Sequence, residues 1–271
     1  SYRIGDELPE NSLAKPGEVI ILAEKLAKSV MDAARVPEGA YERLGKVDPG
    51  IIKRFAHPFR GVEGGNGEWD YSVPLLPGDH VTDDAGTGFV HTAPSHGDDD
   101  YQLGLQYKLP MTYNVEPDGS YRKDLPIFGG EAIILPDGKD GPANVSVIKQ
   151  LAYAGALLAK GKVKHSYPHS WRSKAPLIYR NTPQWFAAID KKLDDGMCEY
   201  GDTIRARALT SIDKLVKWTP QTGRNRIFSM VENRPDWVLS RQRAWGVPLT
   251  CFIRRLGEGR VEILRDPEVN A

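Results

Sequence analysis

The chain has 271 residues, and its 36 basic residues balance 36 acidic ones. This length is enough to bury a full core in one large domain or two modest ones. A formal net charge of zero excludes a generally basic nucleic-acid-binding protein, so any affinity for nucleic acid must come from local patches. Cys198 and Cys251, the two cysteines, lie far apart without a CxxC motif, which argues against a thiolate zinc site and predicts a reducing, cytoplasmic location.

The first residues of the sequence do not show the pattern of a targeting signal. No apolar run reaches membrane-spanning length, and the first residues lack the basic and apolar regions of a signal peptide, so we expect no membrane partner. We expect an excised fragment of a longer protein, because the sequence has no initiator methionine and its last residues show no sign of a domain end.

The first periodic segment covers residues 18–36. Its apolar run at residues 19–22 predicts a short buried strand. An amphipathic helix should follow, with Leu26, Val30 and Ala33 or Ala34 facing inward, because these residues recur at helical spacing.

Residues 51–94 alternate short apolar segments with glycine and proline. The β-branched or aromatic segments are IIKRF, WDYSVPLL, HVTD and GFVHTA. Such segments, separated by turn residues, are typical of strands and predict a small mixed sheet or barrel.

Two helices and one further strand are predicted beyond this region. Residues 98–109 form a helix with an acidic first turn, and EAIILPDG forms a strand. Residues 143–158 form another helix, with Val147, Leu151 and Leu158 facing inward. The fold class is therefore α+β, with a small β-barrel-like mixed sheet as its core and flanking helices.

The composition changes after Trp218, where we place a domain boundary. The first domain covers residues 1–218 and a second segment covers residues 219–271, with a hairpin near residues 250–265 around Gly-Glu-Gly. In the second segment, the stretch RPDWVLSRQRAWGVPL is rich in arginine and tryptophan. A structural role is favoured over RNA contact for its members Arg234, Arg241, Arg243 and Trp245.

The stretch GTGFVHTAPSHGDDDYQLG, residues 86–104, carries most of the polar chemistry. A metal site could use His91, His96 and the aspartates that follow, since imidazoles and carboxylates bind first-row metals. The spacing is poor, because Pro94 keeps the two histidines off a common helical face.

A helix start explains much of the same stretch. Asp98 or Asp99 can cap the helix or complement its positive end, and the glycines, Gly86, Gly88 and Gly97, permit turns. A third interpretation concerns His91 at a strand end opposite an aspartate at a helix start. This arrangement predicts a concave polar pocket suited to a substrate with an ammonium group.

Several motifs resemble one known family. Besides residues 86–104 they are HPF at residues 57–59, LLPGDHVT at 75–82, YPHSWRSKAPLIYRNTPQWF at 167–186 and RPDWVLSRQRAWGVPL at 234–249. In this order they resemble the editing domain, or connective-peptide insertion, of bacterial-type isoleucyl-tRNA synthetases, class I aminoacyl-tRNA synthetases. Valyl and leucyl relatives share Gly-Thr-Gly, but HTAPSHG and NTPQWF favour the isoleucyl type.

The resemblance implies hydrolysis of valine from mischarged tRNA(Ile), because a hydrophobic pocket that accepts isoleucine cannot strongly reject valine. Asp100 would hold the α-ammonium group, and His91 would lie beside the side chain and ribose. These two are the candidate catalytic residues; for His91 a positioning and size-excluding role is favoured over that of a general base. The implied substrate-binding set is Gly86, Thr87, Gly88, His91, Thr92 and Asp100.

The resemblance also limits what we expect of this chain alone. The family's threonine-rich peptide should lie just before residue 1, and the two ATP-site signatures do not occur in the sequence. We therefore expect no amino-acid activation, and weak or no ester hydrolysis until that peptide is restored. No metal or organic cofactor is implied for editing; ATP and Mg²⁺ belong to the full-length enzyme only.

Residues 160–180 form a basic segment without a single acidic residue. Its cations and aromatics suit phosphate contacts and stacking on unpaired bases. The predicted RNA-binding residues are Lys160, Lys162, Lys164, Trp171, Arg172 and Lys174. The alternative is a solvated surface with Trp171 in the core.

The expected partners are the acceptor end of tRNA(Ile) carrying valine and the remainder of a synthetase chain. Three alternative functions stay open. They are the editing domain of a valyl-type synthetase, a metal-dependent hydrolase and a non-catalytic tRNA-binding module.

Overall fold

The computed structural model describes residues 1–162, 164, 166–197, 199–241, 246, 249, 251–257, 260–266 and 268–269. Contacts between residues divide the chain into two compact units, Ser1–Asn181 and Thr182–Ala271. Both units combine helices with small antiparallel sheets, in agreement with the predicted α+β class. No helix among the described residues is long and apolar enough to cross a membrane.

The first unit opens with a three-stranded sheet. Strand β1 (Tyr2–Ile4) lies between β2 (Val19–Ile20) and β3 (Tyr41–Arg43), and both pairings are antiparallel. A short 3-10 turn, Glu24–Leu26, leads directly into helix α1 (Ala27–Ala33).

The sheet and α1 share an apolar core, called here the first cluster. Its buried members are Tyr2, Ile4, Ala14, Leu22, Leu26, Ala27, Val30, Met31, Ala34 and Val36. The predicted helix and its inward residues Leu26 and Val30 are confirmed. The predicted strand is shorter and less buried than expected: Val19 is 49% exposed, because an edge strand turns one face to solvent.

The remainder of the first unit is built mainly from turns. A 3-10 turn, Pro49–Ile51, precedes β4 (Arg54–Ala56), which pairs antiparallel with β5 (Ser72–Pro74). Helices α2 (Asp98–Tyr107) and α3 (Pro142–Tyr153) follow. The second cluster consists of the buried residues Phe59, Trp69, Leu125 and Phe128, against which Val147 and Leu151 of α3 pack.

The prediction of a barrel-like mixed sheet is wrong. Every strand pair in the described part of the chain is antiparallel, and no sheet there has more than three strands. HVTD and GFVHTA form no strand, because Gly86 and Gly88 turn the backbone with φ of 64° and 81°, and Val90 stays 56% exposed.

Two further boundaries differ from expectation. EAIILPDG contributes only isolated bridges, in which Ala132 faces Ser120 and Ile134 faces Asp140. The helix predicted to run to residue 158 ends at Tyr153, and Gly155 follows with a φ of 63°. Leu158 still packs inward, but against the first cluster rather than from a helix.

The second unit contains a helix pair and two small sheets. Helices α4 (Ile204–Lys214) and α5 (Thr222–Glu232) pack together, and β6 (Phe186–Ala187) pairs with β7 (Trp237–Val238). Strands β8 (Ile253–Gly257) and β9 (Arg260–Ile263) pair antiparallel, as the two strands of a hairpin do.

Several sequence predictions in this region are untested. The boundary after residue 218 stays a prediction; α4 and α5 lie on either side of it within the second unit. Cys198, Arg243, Trp245 and the hairpin turn at residues 258 and 259 lie outside the described residues. Of the other two arginines, Arg234 accepts a hydrogen bond at its carbonyl from Arg205, and Arg241 donates to the carbonyl of Val238.

Candidate active site

Asp100 differs from its two acidic neighbours in the first turn of α2. Asp98 and Asp99 are exposed, as expected of charges that complement a helix start. Asp100 is half-buried, and its Oδ2 accepts a hydrogen bond of 3.1 Å from the backbone N–H of Ala93. Because a carboxylate offers several acceptor positions, this bond leaves capacity for a bound ammonium group.

The Gly-Thr-Gly peptide lies against the segment that precedes α1. The carbonyl of Thr87 accepts a hydrogen bond of 2.8 Å from the N–H of Ala23. A Cβ atom on Gly88 would come within 2.7 Å of the Ala23 Cβ, so this close approach requires glycine. The Thr87 hydroxyl bonds locally, within 3.3 Å of the Phe89 N and 3.2 Å of the Phe89 carbonyl oxygen.

A cavity of about 300 Å³ opens beside this peptide. Glu24 and Arg43, which form an ion pair of 3.0 Å, contribute to its wall together with Gly88 and Phe89. Among the described residues its lining does not include His91, Thr92 or Asp100. The grouping of the predicted substrate-binding residues in one pocket stays a prediction.

His91 is exposed and lies near His57 of the HPF motif, a histidine that the predicted site residues do not include. The pKa of His57 is lowered, first by burial and then by the positive charge of nearby His91. The His57 ring packs against Phe59, Trp69 and Tyr71, with centroid distances of 5.6, 6.2 and 5.1 Å. Its Nδ1 accepts a 3.1 Å hydrogen bond from the Phe59 N–H, which places the proton of the neutral ring on Nε2.

Residues 95 and 96 are bonded to a distant part of the same unit. The Asn181 N–H donates to the Ser95 carbonyl at 2.9 Å, and the Asn181 Nδ2 donates to the Ser95 Oγ at 3.3 Å. His96 Nδ1 lies 2.8 Å from the Tyr179 carbonyl oxygen, so it carries a proton there. Ser95 and Asn181 lie in the motifs HTAPSHG and NTPQWF, but the sequence did not predict their contact, because contacts between residues so far apart in the chain leave no local signal.

The described residues contain no group of three or more histidine, cysteine, aspartate or glutamate side chains that could hold a metal ion. The metal alternative therefore gains no support from the geometry.

The basic segment ends in a small hairpin, residues 168–177. The Ser170 N–H donates to the Ala175 carbonyl at 2.9 Å, and His169 and Pro176 form a bridge. Trp171 sits in the turn, 76% exposed, with the Arg172 guanidinium carbon 4.8 Å from its ring centroid. The alternative that placed Trp171 in the core is wrong.

The other predicted RNA-binding residues also face solvent. These exposed side chains are Lys160, Lys162, Lys164, Arg172 and Lys174. In the part of the chain that the structure describes, none of them forms an ion pair. Their charge is therefore available to an anionic partner.

One protein family matches most of the chain. Residues 16–268 match the family described as tRNA synthetases class I (I, L, M and V). The chain belongs to this family.

Three relatives of this synthetase segment are isoleucine–tRNA ligases. The one from Ruegeria pomeroyi is 58% identical over 269 residues, which cover 97% of this chain and 28% of the ligase. Those from Rhodopseudomonas palustris and Bradyrhizobium diazoefficiens are 49% and 47% identical, over 99% of this chain and 27% of each ligase. The predicted resemblance is thus confirmed, and the chain spans less than a third of the length of these relatives.

Proposed function

We propose that this synthetase segment edits mischarged tRNA(Ile), by hydrolysing the ester between valine and the terminal ribose. One observation carries the proposal: Asp100 alone of three consecutive aspartates is half-buried and bonded to the backbone at Ala93. The similarity to isoleucine–tRNA ligases over nearly the whole chain supports the choice of substrate.

The proposed reaction is attack of water on the ester carbonyl carbon. The bond to the ribose oxygen breaks, the ribose oxygen receives the proton lost by water, and free valine and tRNA leave. This chemistry needs a fixed aminoacyl group, a positioned water and stabilisation of the developing oxyanion. Asp100 fixes the α-ammonium group through a charge-assisted hydrogen bond.

His91 has a separate role in this proposal. It lies beside the valine side chain and the ribose, where it limits the size of the accepted amino acid and positions the substrate. Thr92 follows it, and the peptide Gly86, Thr87 and Gly88 completes the substrate-binding set. The reaction uses no metal or organic cofactor; ATP and Mg²⁺ serve only amino-acid activation by a full-length synthetase.

In this proposal the hairpin at residues 168–177 binds the RNA. Trp171 offers an open indole face for stacking on an unpaired base, and base–aromatic stacking contributes roughly 1–3 kcal/mol per base. Arg172 and the exposed lysines bind the phosphates of the RNA backbone. The partners are the acceptor end of tRNA(Ile) carrying valine and the remainder of a synthetase chain, and the setting is the cytoplasm, where charged tRNA is used.

The test compares Asp100→Ala with Asp99→Ala in hydrolysis of valyl-tRNA(Ile). Each variant is assayed in this chain alone and in the Ruegeria pomeroyi ligase with this chain in place of its matching segment. Loss of a hydrogen bond to a charged group costs roughly 1.5–3 kcal/mol, so Asp100→Ala should slow hydrolysis on the order of tenfold to a hundredfold. Asp99→Ala should hydrolyse normally; the reverse pattern would show that the wrong aspartate has been chosen.

A second candidate is a tRNA-binding module without catalysis, which the exposed Trp171 and Arg172 favour. Such a module binds tRNA(Ile) but leaves the valyl ester intact in both forms of the protein. Trp171→Ala separates the two functions, because it should weaken tRNA binding in either case. Only an editing domain loses valyl-ester hydrolysis with it.

A further inference from the structure

The turn at residues 93–96 connects Asp100 of the proposed site to Asn181. At one end, the Ala93 N–H donates to Asp100 Oδ2 at 3.1 Å, and the His96 N–H donates to the Ala93 carbonyl at 2.9 Å. At the other end, Ser95 bonds to Asn181. The position of the Ala93 N–H, and hence of the Asp100 carboxylate, therefore depends on how this turn is held.

We propose that Asn181 is a positioning residue for Asp100, acting through Ser95 on binding of an aminoacyl ester with a protonated α-amine. This inference rests on the proposed editing function.

Burial makes this contact specific. Ser95 is 3% exposed, and Asn181 engages both its carbonyl and its hydroxyl. The Asn181 Nδ2 also lies 3.8 Å from Met111 Sδ, which restricts the orientation of the amide. A buried hydroxyl that loses its partner must turn or shift to find another, because an unsatisfied buried polar group is costly.

The next residue, His96, makes a further contact that holds the turn in the same position. His96 Nδ1 donates to the Tyr179 carbonyl at 2.8 Å, two residues before Asn181. Residues 179–181 thus hold residues 95 and 96 by three hydrogen bonds. None of the three reaches Asp100 directly, so their influence passes through the turn.

The experiment uses a pair of substrates that differ only at the group Asp100 recognises. Valyl-tRNA(Ile) is compared with 2-hydroxyisovaleryl-tRNA(Ile), made from it by nitrous acid, in which a hydroxyl replaces the ammonium. The proteins are the ligase carrying this chain and its Asn181→Ala, Ser95→Ala and Asp100→Ala variants. Asn233→Ala is the matched control, because the Asn233 side-chain amide donates to the nearby Ser229 carbonyl at the end of α5 and, among the described residues, to no other group.

We expect Asn181→Ala to raise KM for the valyl ester about tenfold, as loss of about 1.4 kcal/mol requires, with kcat little changed. The hydroxy ester should be hydrolysed as before, and Asn233→Ala should alter neither substrate. Ser95→Ala keeps the hydrogen bond from the Asn181 N–H to the Ser95 carbonyl. It should also raise KM for the valyl ester alone, but by a smaller factor, so it tests the inference if Asn181→Ala does not fold.

Equal losses on the two esters, or no loss on either, would overturn the positioning role. Failure of the function itself gives a different result. If Asp100→Ala leaves the preference for the ammonium ester intact, the editing role assigned to Asp100 fails, whatever Asn181 does.

Discussion

His57 is a histidine whose ring packs in an aromatic environment. Its pKa lies below the ordinary value of 6.5 because burial, and then the charge of His91, disfavour the protonated ring. Between these two pKa values the unfolded chain binds more protons than the folded chain. His57 therefore adds stability that is present above pH 6.5 and is lost as the pH falls through the folded-state pKa.

We expect the free energy of unfolding to fall between about pH 7.5 and about pH 5.5, and His57→Asn to reduce this fall. Asparagine keeps an acceptor for the Phe59 N–H but does not titrate. Urea unfolding at the two pH values measures the difference. The carboxyls with lowered pKa, such as Asp118 and Asp137, titrate below 3.8 and do not interfere. Identical pH dependence in both proteins would exclude His57 as the cause.

His91→Ala tests the size limit of the proposed site. Removing the imidazole should enlarge the space beside the amino-acid side chain, so that isoleucyl-tRNA(Ile) is hydrolysed as well as the valyl ester. The measurement is the ratio of the two hydrolysis rates in the ligase that carries this chain. His80→Ala, at another exposed histidine of the same unit, is the control. A ratio that stays unchanged in His91→Ala would remove His91 from the discrimination.

Some residues of the candidate site could be selected from the sequence and others could not. His91 and Asp100 lie in one contiguous motif, so resemblance was enough to select them. In the sequence, only its position in the motif distinguishes Asp100 from Asp99. The structure adds a physical difference: Asp100 is half-buried and hydrogen-bonded, whereas Asp99 is exposed. Ser95 and Asn181 meet across 86 residues, and such contacts exist only once the chain has folded.

Helix α2 depends on close packing at Gly104. A Cβ atom there would come within 2.8 Å of Pro94 Cβ and 2.9 Å of Met111 Cε. Overpacking costs about 1–3 kcal/mol, whereas the gain in helix propensity from alanine is at most about 1 kcal/mol. We therefore expect Gly104→Ala to destabilise the chain, and to displace Pro94 in the loop that precedes Asp100.

Gly223 in α5 gives the matched control for this substitution. A Cβ atom there would meet only Trp218 at 3.5 Å, an ordinary contact. Gly223→Ala should leave the stability unchanged or raise it by up to about 1 kcal/mol. Urea unfolding of both variants decides the matter; equal stabilities would contradict the packing of α2 against Pro94.

Elements with strong local signals were predicted well. Helices α1 and α2 have helical spacing of apolar residues or an acidic first turn, and both form close to the expected positions. The strand predictions for HVTD and GFVHTA were wrong, because strand propensity measures how well a residue fits a half-buried sheet and not whether a neighbouring strand is present. Where Gly86 and Gly88 turn the chain, residues such as Val90 find no neighbouring strand and stay exposed.

The two units differ in how much apolar surface they bury. Both apolar clusters lie in residues 1–181, whereas Ile189 and Ile212 are the buried hydrophobic residues of the second unit among those described. We expect residues 1–181 to unfold cooperatively when expressed alone, and residues 182–271 to lack a cooperative transition, because so small a core cannot offset the loss of conformational entropy. Urea titrations followed by circular dichroism test both fragments, and a sharp transition in the second would refute this expectation.

The first cluster also has a kinetic consequence. All ten of its buried members lie between Tyr2 and Val36, so its contacts close short loops. The buried members of the second cluster span residues 59–128, and their loops are longer. During synthesis the first cluster can collapse while the ribosome is still adding the residues that complete the second. Leu158 and Ala159, which pack on the first cluster, then arrive late and cover a nucleus that has already formed.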